Sequence, residues 1–263
     1  LALVIAYAAY RAGSLSKSGM LGAALLGSVV FGLGGLAWSV LLLGFFISSS
    51  GLSRLWKQRK SKFEEKFSKG SQRDIWQVAA NGGLSGLFVL LQLAFPGAVW
   101  PWFAFAGSLA AANADTWATE LGVLSRRPPR SITTGQVVAP GTSGGVSLAG
   151  SAAAAGGAGF IALLALLAWP YAQALSLPTA LLLFAAVTLA GFLGSLADSL
   201  LGATAQAIYH CPRCDKETER HPQHTCGETT TPTRGLAWLD NDWVNTLCTL
   251  VGALAALLLS SLS

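Results

Sequence analysis

The sequence predicts an all-α fold, a polytopic transmembrane helical bundle of about 7–8 helices with short or broken segments near the N-terminus. Three observations predict it. Of 263 residues, 52% are hydrophobic and only 11% are charged, whereas a soluble domain carries about 25% charged residues. Long intervals contain no charged side chain at all: 18–53, 75–114, 131–197 and 243–263. A span needs roughly 20 apolar residues, so several of these intervals hold two helices. The 30 glycines suit helices that approach closely in lipid. The whole chain, 1–263, therefore reads as one membrane domain with no room for a large soluble one.

Taken in order, short helices are expected at 2–10, 19–34 and 36–50. The first residue is Leu, which fits a trimmed start, and Leu1–Tyr10 is too short for a complete span or a full signal peptide. The pair at 19–50 breaks near GLGG (32–35), as either a tight hairpin or a re-entrant element. Residues 51–74 form a basic, amphipathic linker, either lying on anionic lipid or offering some cations to phosphate. Longer helices follow at about 75–95, 102–120, 144–168, 178–208 and 239–262. Between them lie a Gly-rich loop (121–143) and a Cys-rich loop (209–239).

The net charge of +5 reports topology rather than nucleic-acid binding. All 17 Lys and Arg fall in four clusters, at 11–18, 51–73, 121–135 and 209–239. The turns PGAVWP (96–101) and WPYAQALSLPTA (169–180) have none and carry Trp100, Trp102, Trp169 and Tyr171. The positive-inside rule and the aromatic belt then put the four basic clusters on the cytoplasmic face of a plasma or inner membrane.

The polar residues gather on that same face. NADTWATE (113–120), which includes Thr116, closes one helix, with Asn113 and Glu120 on a shared face and Asp115 on another. The loop 128–147 contains Arg130 and ends in GTSGGVS, where Thr142, Gly144, Gly145 and Ser147 open the next helix. Such a glycine-rich helix start is an anion nest, although no Walker lysine follows. GSLADSLLGATAQ (194–206) puts Asp198, Gly202 and Gln206 in one stripe, and DNDWVN (240–245) brings Asn241, Asp242 and Asn245 to the start of the last helix. Hard oxygen ligands around a phosphate loop suit magnesium and a nucleotide. Each motif also has a plainer reading: Asp240 and Asp242 as helix caps, Asp198 as a structural or proton-carrying carboxylate, GTSGG as a flexible helix start, Asn81 as an interhelical hydrogen bond.

NADTWATELG, Pro-Arg-x-Ile (129–132), GTSGGVS, DSLLGATAQ and DNDWVN, in that order, resemble the membrane family that includes plant phytyl-phosphate kinase and vertebrate transmembrane protein 19. The resemblance covers about Gly19 to Gly252. More distantly, it is similar to CTP-dependent polyprenol kinases and CDP-lipid synthases. It implies phosphoryl transfer from a nucleoside triphosphate, CTP first among them, to an isoprenoid monophosphate such as phytyl or geranylgeranyl phosphate. It also implies magnesium on Asp115 and Asp198, with Glu120 or Asp242 as a further catalytic ligand. Asn113, Thr116, Arg130, Thr142, Gly144, Gly145, Ser147, Gln206, Asn241 and Asn245 would then bind nucleotide or substrate. The alternatives are a CDP-lipid-forming cytidylyltransferase and a lipid or ion transporter that uses the buried acids.

The segment HCPRCDKETERHPQHTC (210–226) is a separate feature. Cys211, Cys214, His224 and Cys226, with His221 as the alternative histidine, make a tetrahedral zinc site of structural type. The rivals are free thiols, or a disulfide if the topology is inverted. Cys248 lies in the last helix as a small packing residue.

Overall fold

The computed structural model describes residues 1–55, 72–171 and 175–260. Most of the basic linker (56–71) lies outside the described residues, as do 172–174 and 261–263. Eight helices form the described part: α1 (Ala2–Arg11), α2 (Lys17–Val29), α3 (Gly35–Leu55), α4 (Ile75–Ala94), α5 (Trp100–Gly122), α6 (Leu148–Leu167), α7 (Leu177–Thr204) and α8 (Asn241–Ser260). Five stretches among the described residues are long and apolar enough to cross a membrane: 17–55, α4, α6, α7 and α8.

The helix α5 is the axis of the bundle. Every residue from Pro101 to Ala114 is buried, and α3, α4, α6, α7 and α8 all pack on it. Its alanines and glycines make that possible. A Cβ on Gly107 would strike the Gly252 carbonyl of α8, and one on Gly194 of α7 would strike Ala111 of α5 and the Cys248 carbonyl of α8. Small residues thus let three backbones close on one another. At the other end, Trp38 of α3 sits edge-on to Trp102 and Phe105 of α5, with ring centroids 5.1 and 4.7 Å away.

The break near GLGG is a hairpin apex. A π-helical turn (Val30–Gly34) precedes Gly35, whose φ of 73° turns the chain back. The two ends meet again, because Arg54 at the end of α3 donates to the Ala12 carbonyl and to Ser14 Oγ before α2. The arms splay: α2 packs on α1 and α4, and α3 on α5 and α6. At ten residues α1 is about 15 Å long, too short to cross, and Ala2 lies beside Gly27 in α2.

Two sequence expectations shift. The helix expected to start at 144 begins at Leu148, because Gly145–Val146 (β2) pairs with Arg130–Ser131 (β1) and Ser147 Oγ caps α6 on the Gly150 N–H at 3.1 Å. The helix expected to reach 208 ends at Thr204, where Ile208–Cys211 (β3) enters a three-stranded sheet. That sheet, ordered Lys216–Thr218 (β4), β3, Thr231–Arg234 (β5), gives the Cys-rich loop strand structure that composition did not announce.

Substituting Gly252→Val should lower the stability of the detergent-solubilised protein by about 1–3 kcal/mol through overpacking against Ala111 and Gly107. A fall in thermal unfolding temperature checks it; an unchanged temperature would mean that the α5–α8 contact does not hold the bundle.

Candidate functional site at the polar end of the bundle

Six helix ends meet around one polar cavity of about 340 Å³. They are the ends of α3, α5 and α7 and the starts of α4, α6 and α8, marked by Ser53, Glu120, Asp198, Gln77, Ser147 and Asn241. The uncharged turns meet at the opposite end, where Tyr171 Oη donates to the Ala98 carbonyl at 3.0 Å. Burial of that hydroxyl pushes its pKa up to about 12.

The interhelical register brings the acids together. Gly194 packs on Ala111, and one turn further on each helix Asp198 and Asp115 line the same cavity. Asp198 lies within electrostatic reach of Asp115 and Glu219, and its Oδ2 is buried with no hydrogen-bond partner among the described residues. Glu120 also lines the cavity and accepts from Ser53 Oγ at 2.7 Å. Four carboxylates therefore face one space with two guanidinium groups, Arg73 and Arg127. An excess of carboxylates with an unsatisfied oxygen is the donor set a hard divalent cation takes, so the residues fit magnesium.

The Gly-rich loop forms the facing wall. Gly141 and Gly144 adopt φ of 79° and 81°, and a Cβ on Gly144 would collide with Ala203 of α7. Only glycine serves there, both for the backbone angle and for the close approach. Thr142, Ser143, Gly144, Gly145 and Ser147 line the cavity at the head of α6, where a helix N-terminus favours anions.

Other expected residues fall differently. Thr116, Gln206, Asn241 and Asn245 line the cavity. The Asn113 amide bridges helices instead: it accepts from Ser48 and Ser49 Oγ (3.0 and 3.3 Å) and donates to the Gly157 carbonyl (2.8 Å). The guanidinium of Arg130 is exposed and donates to the Gly135 carbonyl at 2.8 Å, so it folds back on its own hairpin rather than into the cavity. Asp242, expected among the catalytic ligands, is not among the residues that line the cavity, although Asn241 and Asn245 are. The capping role falls to Asp240, whose Oδ1 accepts from the N–H groups of Asp242 and Trp243. Asn81 lines the cavity and donates to the Gln77 carbonyl within α4, not across helices.

Among the charged lining residues, Arg73, Arg127 and Glu219 were not singled out from sequence. Arg73 stacks over Phe45 and Phe46, 5.7 and 6.0 Å from the ring centroids, and lies within electrostatic reach of Glu120. Glu219 follows β4 and accepts from Ser143 Oγ and Gln206 Nε2, both at 2.9 Å. Glu219 thereby ties the Cys-rich element to the glycine loop and to the end of α7.

Beside it, Cys211, Cys214, His224 and Cys226 have ligand atoms all within 4.8 Å of one another. His224 Nδ1 and Cys211 Sγ lie 3.4 and 3.5 Å from Cys226 Sγ. A tetrahedral site with metal–sulfur bonds of about 2.3 Å has edges of about 3.8 Å, so the group can hold a metal. His221 is excluded from the set, since it stacks on Tyr209 with centroids 4.4 Å apart. Hydrogen bonds from His224 and the Glu228 backbone hold the Cys226 thiol down to about 6, while its bond with Cys226 pushes Cys214 up to about 11. One thiolate is favoured and a second resisted until a cation joins them. The four cysteines are unpaired by disulfide.

Residues 1–253 match the integral membrane protein family DUF92, and the chain belongs to that family. It is 32% identical over 262 residues to Protein PGR of Arabidopsis thaliana, covering 92% of this chain and 88% of the relative. It is 34% identical over 202 residues to the uncharacterized membrane protein MJ0933 of Methanocaldococcus jannaschii, covering 76% and 78%. No solved structure matches the chain.

Metal analysis of the purified protein should find about one thiolate-bound metal per chain, lost in Cys214→Ser. Losing it should also release Glu219 and raise hydrogen exchange at 141–147; unchanged exchange in the metal-free protein would mean that the sheet alone holds Glu219.

Proposed function

We propose that this DUF92 membrane protein is a prenyl-phosphate kinase, transferring a phosphoryl group from a nucleoside triphosphate, CTP first, to an isoprenoid monophosphate. The observation that carries this reading is the meeting of Asp115 and Asp198 with the glycine loop in one cavity at a membrane-helix terminus. The motifs' resemblance to the phytyl-phosphate kinase and transmembrane protein 19 family supports the same reading. The excess of basic residues around that end supports a cytoplasmic active face in a plasma or inner membrane.

In this reading Asp115 and Asp198 hold magnesium, which when bound offsets the charge of the phosphate oxygens. The backbone N–H of Gly144 and the start of α6 receive the triphosphate, while the Gly145 N–H closes the loop on the Thr142 carbonyl at 2.9 Å. Arg127 and Arg73 neutralise its outer oxygens. An oxygen of the substrate monophosphate, already ionised, attacks the γ-phosphorus while the bond to the β-bridging oxygen breaks and the nucleoside diphosphate departs. No strong general base is needed, so the acids position charge rather than move protons. The thiol cluster, closed by four protein ligands, is structural.

Mass spectrometry of lipid and nucleotide products tests the reading, with purified protein, magnesium, geranylgeranyl or phytyl monophosphate and each of CTP, ATP, GTP and UTP. Isoprenyl diphosphate plus a nucleoside diphosphate is expected, falling at least about 100-fold in Asp115→Asn with the fold intact. Pyrophosphate release would replace the kinase by a cytidylyltransferase, and no nucleotide consumption would move the protein to transport.

A further inference from the structure

A second cavity, of about 100 Å³, lies inside the splayed hairpin among α1, α2, α3 and α4. Its walls are almost wholly apolar, from Phe45 and Phe46 through Ala23, Leu26 and Leu43 to Phe31. The exception is its inner end. Arg73, Gln77 and Asn81 line this cleft and the acidic cavity alike. Phe31 at the far end is 41% exposed, which opens the cleft toward the bilayer. Arg73 spans the junction, with its guanidinium over the rings of Phe45 and Phe46 and a donated hydrogen bond to Ser50 Oγ at 3.3 Å.

We infer that this cleft is the hydrocarbon subsite for the acceptor of the proposed reaction, taking one chain of a phosphate-bearing amphiphile whose phosphate rests at Arg73. The inference rests on that proposed reading for the chemistry but on the shared lining for the path. An apolar slot that ends at a cation and a pair of amides, and continues into a polar cavity, is complementary to a molecule with those two halves. A lone phospholipid tail would have no use for Arg73 at its end. At about 100 Å³ against about 340 Å³ the cleft is much smaller than the polar cavity, which suits a single chain better than the paired chains of a diacyl lipid. The splay of α2 from α3, otherwise an unfilled gap in the bundle, is what creates the slot.

The test is photocrosslinking of the full chain with a twenty-carbon prenyl monophosphate that carries a diazirine on its chain, with adducts mapped by mass spectrometry. Adducts are expected on cleft residues such as Leu26, Leu43 and Phe46. Ala23→Phe should cut them at least tenfold, with Leu42→Trp as a second block, and excess dioleoyl phosphatidic acid should compete poorly. Both variants should elute from size exclusion in detergent as the wild type does, which separates a blocked cleft from a lost fold. Adducts on lipid-facing positions such as Leu163 and Leu189, no adducts at all, or cleft adducts unchanged in both blocked variants would overturn the subsite. Equal competition by the diacyl lipid would overturn the single-chain selection. Cleft adducts without nucleotide consumption would leave the subsite standing and remove the kinase reading.

Discussion

Two carboxylates brought face to face at the edge of a bilayer set the terms for the rest of this protein. Asp115 and Asp198 sit on helices whose backbones touch through Ala111 and Gly194 one turn earlier. Like charges in a desolvated site repel and cannot both stay ionised unless a cation or several donors compensate them. Among the described residues, Asp198 Oδ2 has no donor. The bundle thus places close backbone packing, Gly107 on Gly252 and Gly194 on Ala111, behind an arrangement that is unfavourable by itself. Close-packed small residues explain how the acids are held there, and the proposed divalent cation on a phosphate substrate would supply the compensating charge.

Around that pair the chain adds parts that each need the others. The glycine loop reaches the acids because Gly144 lies directly on Ala203. The Cys-rich sheet holds the loop through the Glu219 contacts with Ser143 and Gln206. Arg73 is fixed from the other side by its backbone, which bonds to Ser14 and Ser16, and by the capping box of Asp74 and Gln77 that starts α4. Arg73 therefore approaches the acids from the residues that lead into α4, while the backbone proposed to take phosphate comes from a loop clamped at two points.

Much of this was legible in the sequence because the membrane simplifies the problem. Uncharged intervals fixed the helices, and the placement of Lys and Arg fixed which ends share a side. Once Asp115, Asp198 and GTSGG are assigned to ends on one side, their convergence follows from topology. Residues whose role depends on side-chain direction were not legible. Asn113 shares a helix face with Glu120, yet its amide is consumed between α3 and α6. Arg130 lies beside the loop, but the β1–β2 pairing leaves it on Gly135. Glu219 was missed because nothing local distinguishes it from Glu217; Glu217 lies within β4 and Glu219 just past its end, and only the docking of the sheet decides which one lines the cavity. The signal available was its place between Cys214 and His224, in an element whose cysteine spacing already promised an ordered fold.

The central claim is that the facing acids hold a divalent cation for use on phosphate. Manganese, which reports magnesium sites by electron paramagnetic resonance, tests it directly in the purified protein. The account predicts a bound-manganese signal that is perturbed by added nucleoside triphosphate and lost in both Asp115→Asn and Asp198→Asn, with the thiol cluster intact. Manganese binding that is unchanged in both variants, or absent from the folded wild-type protein with and without nucleotide, would contradict it.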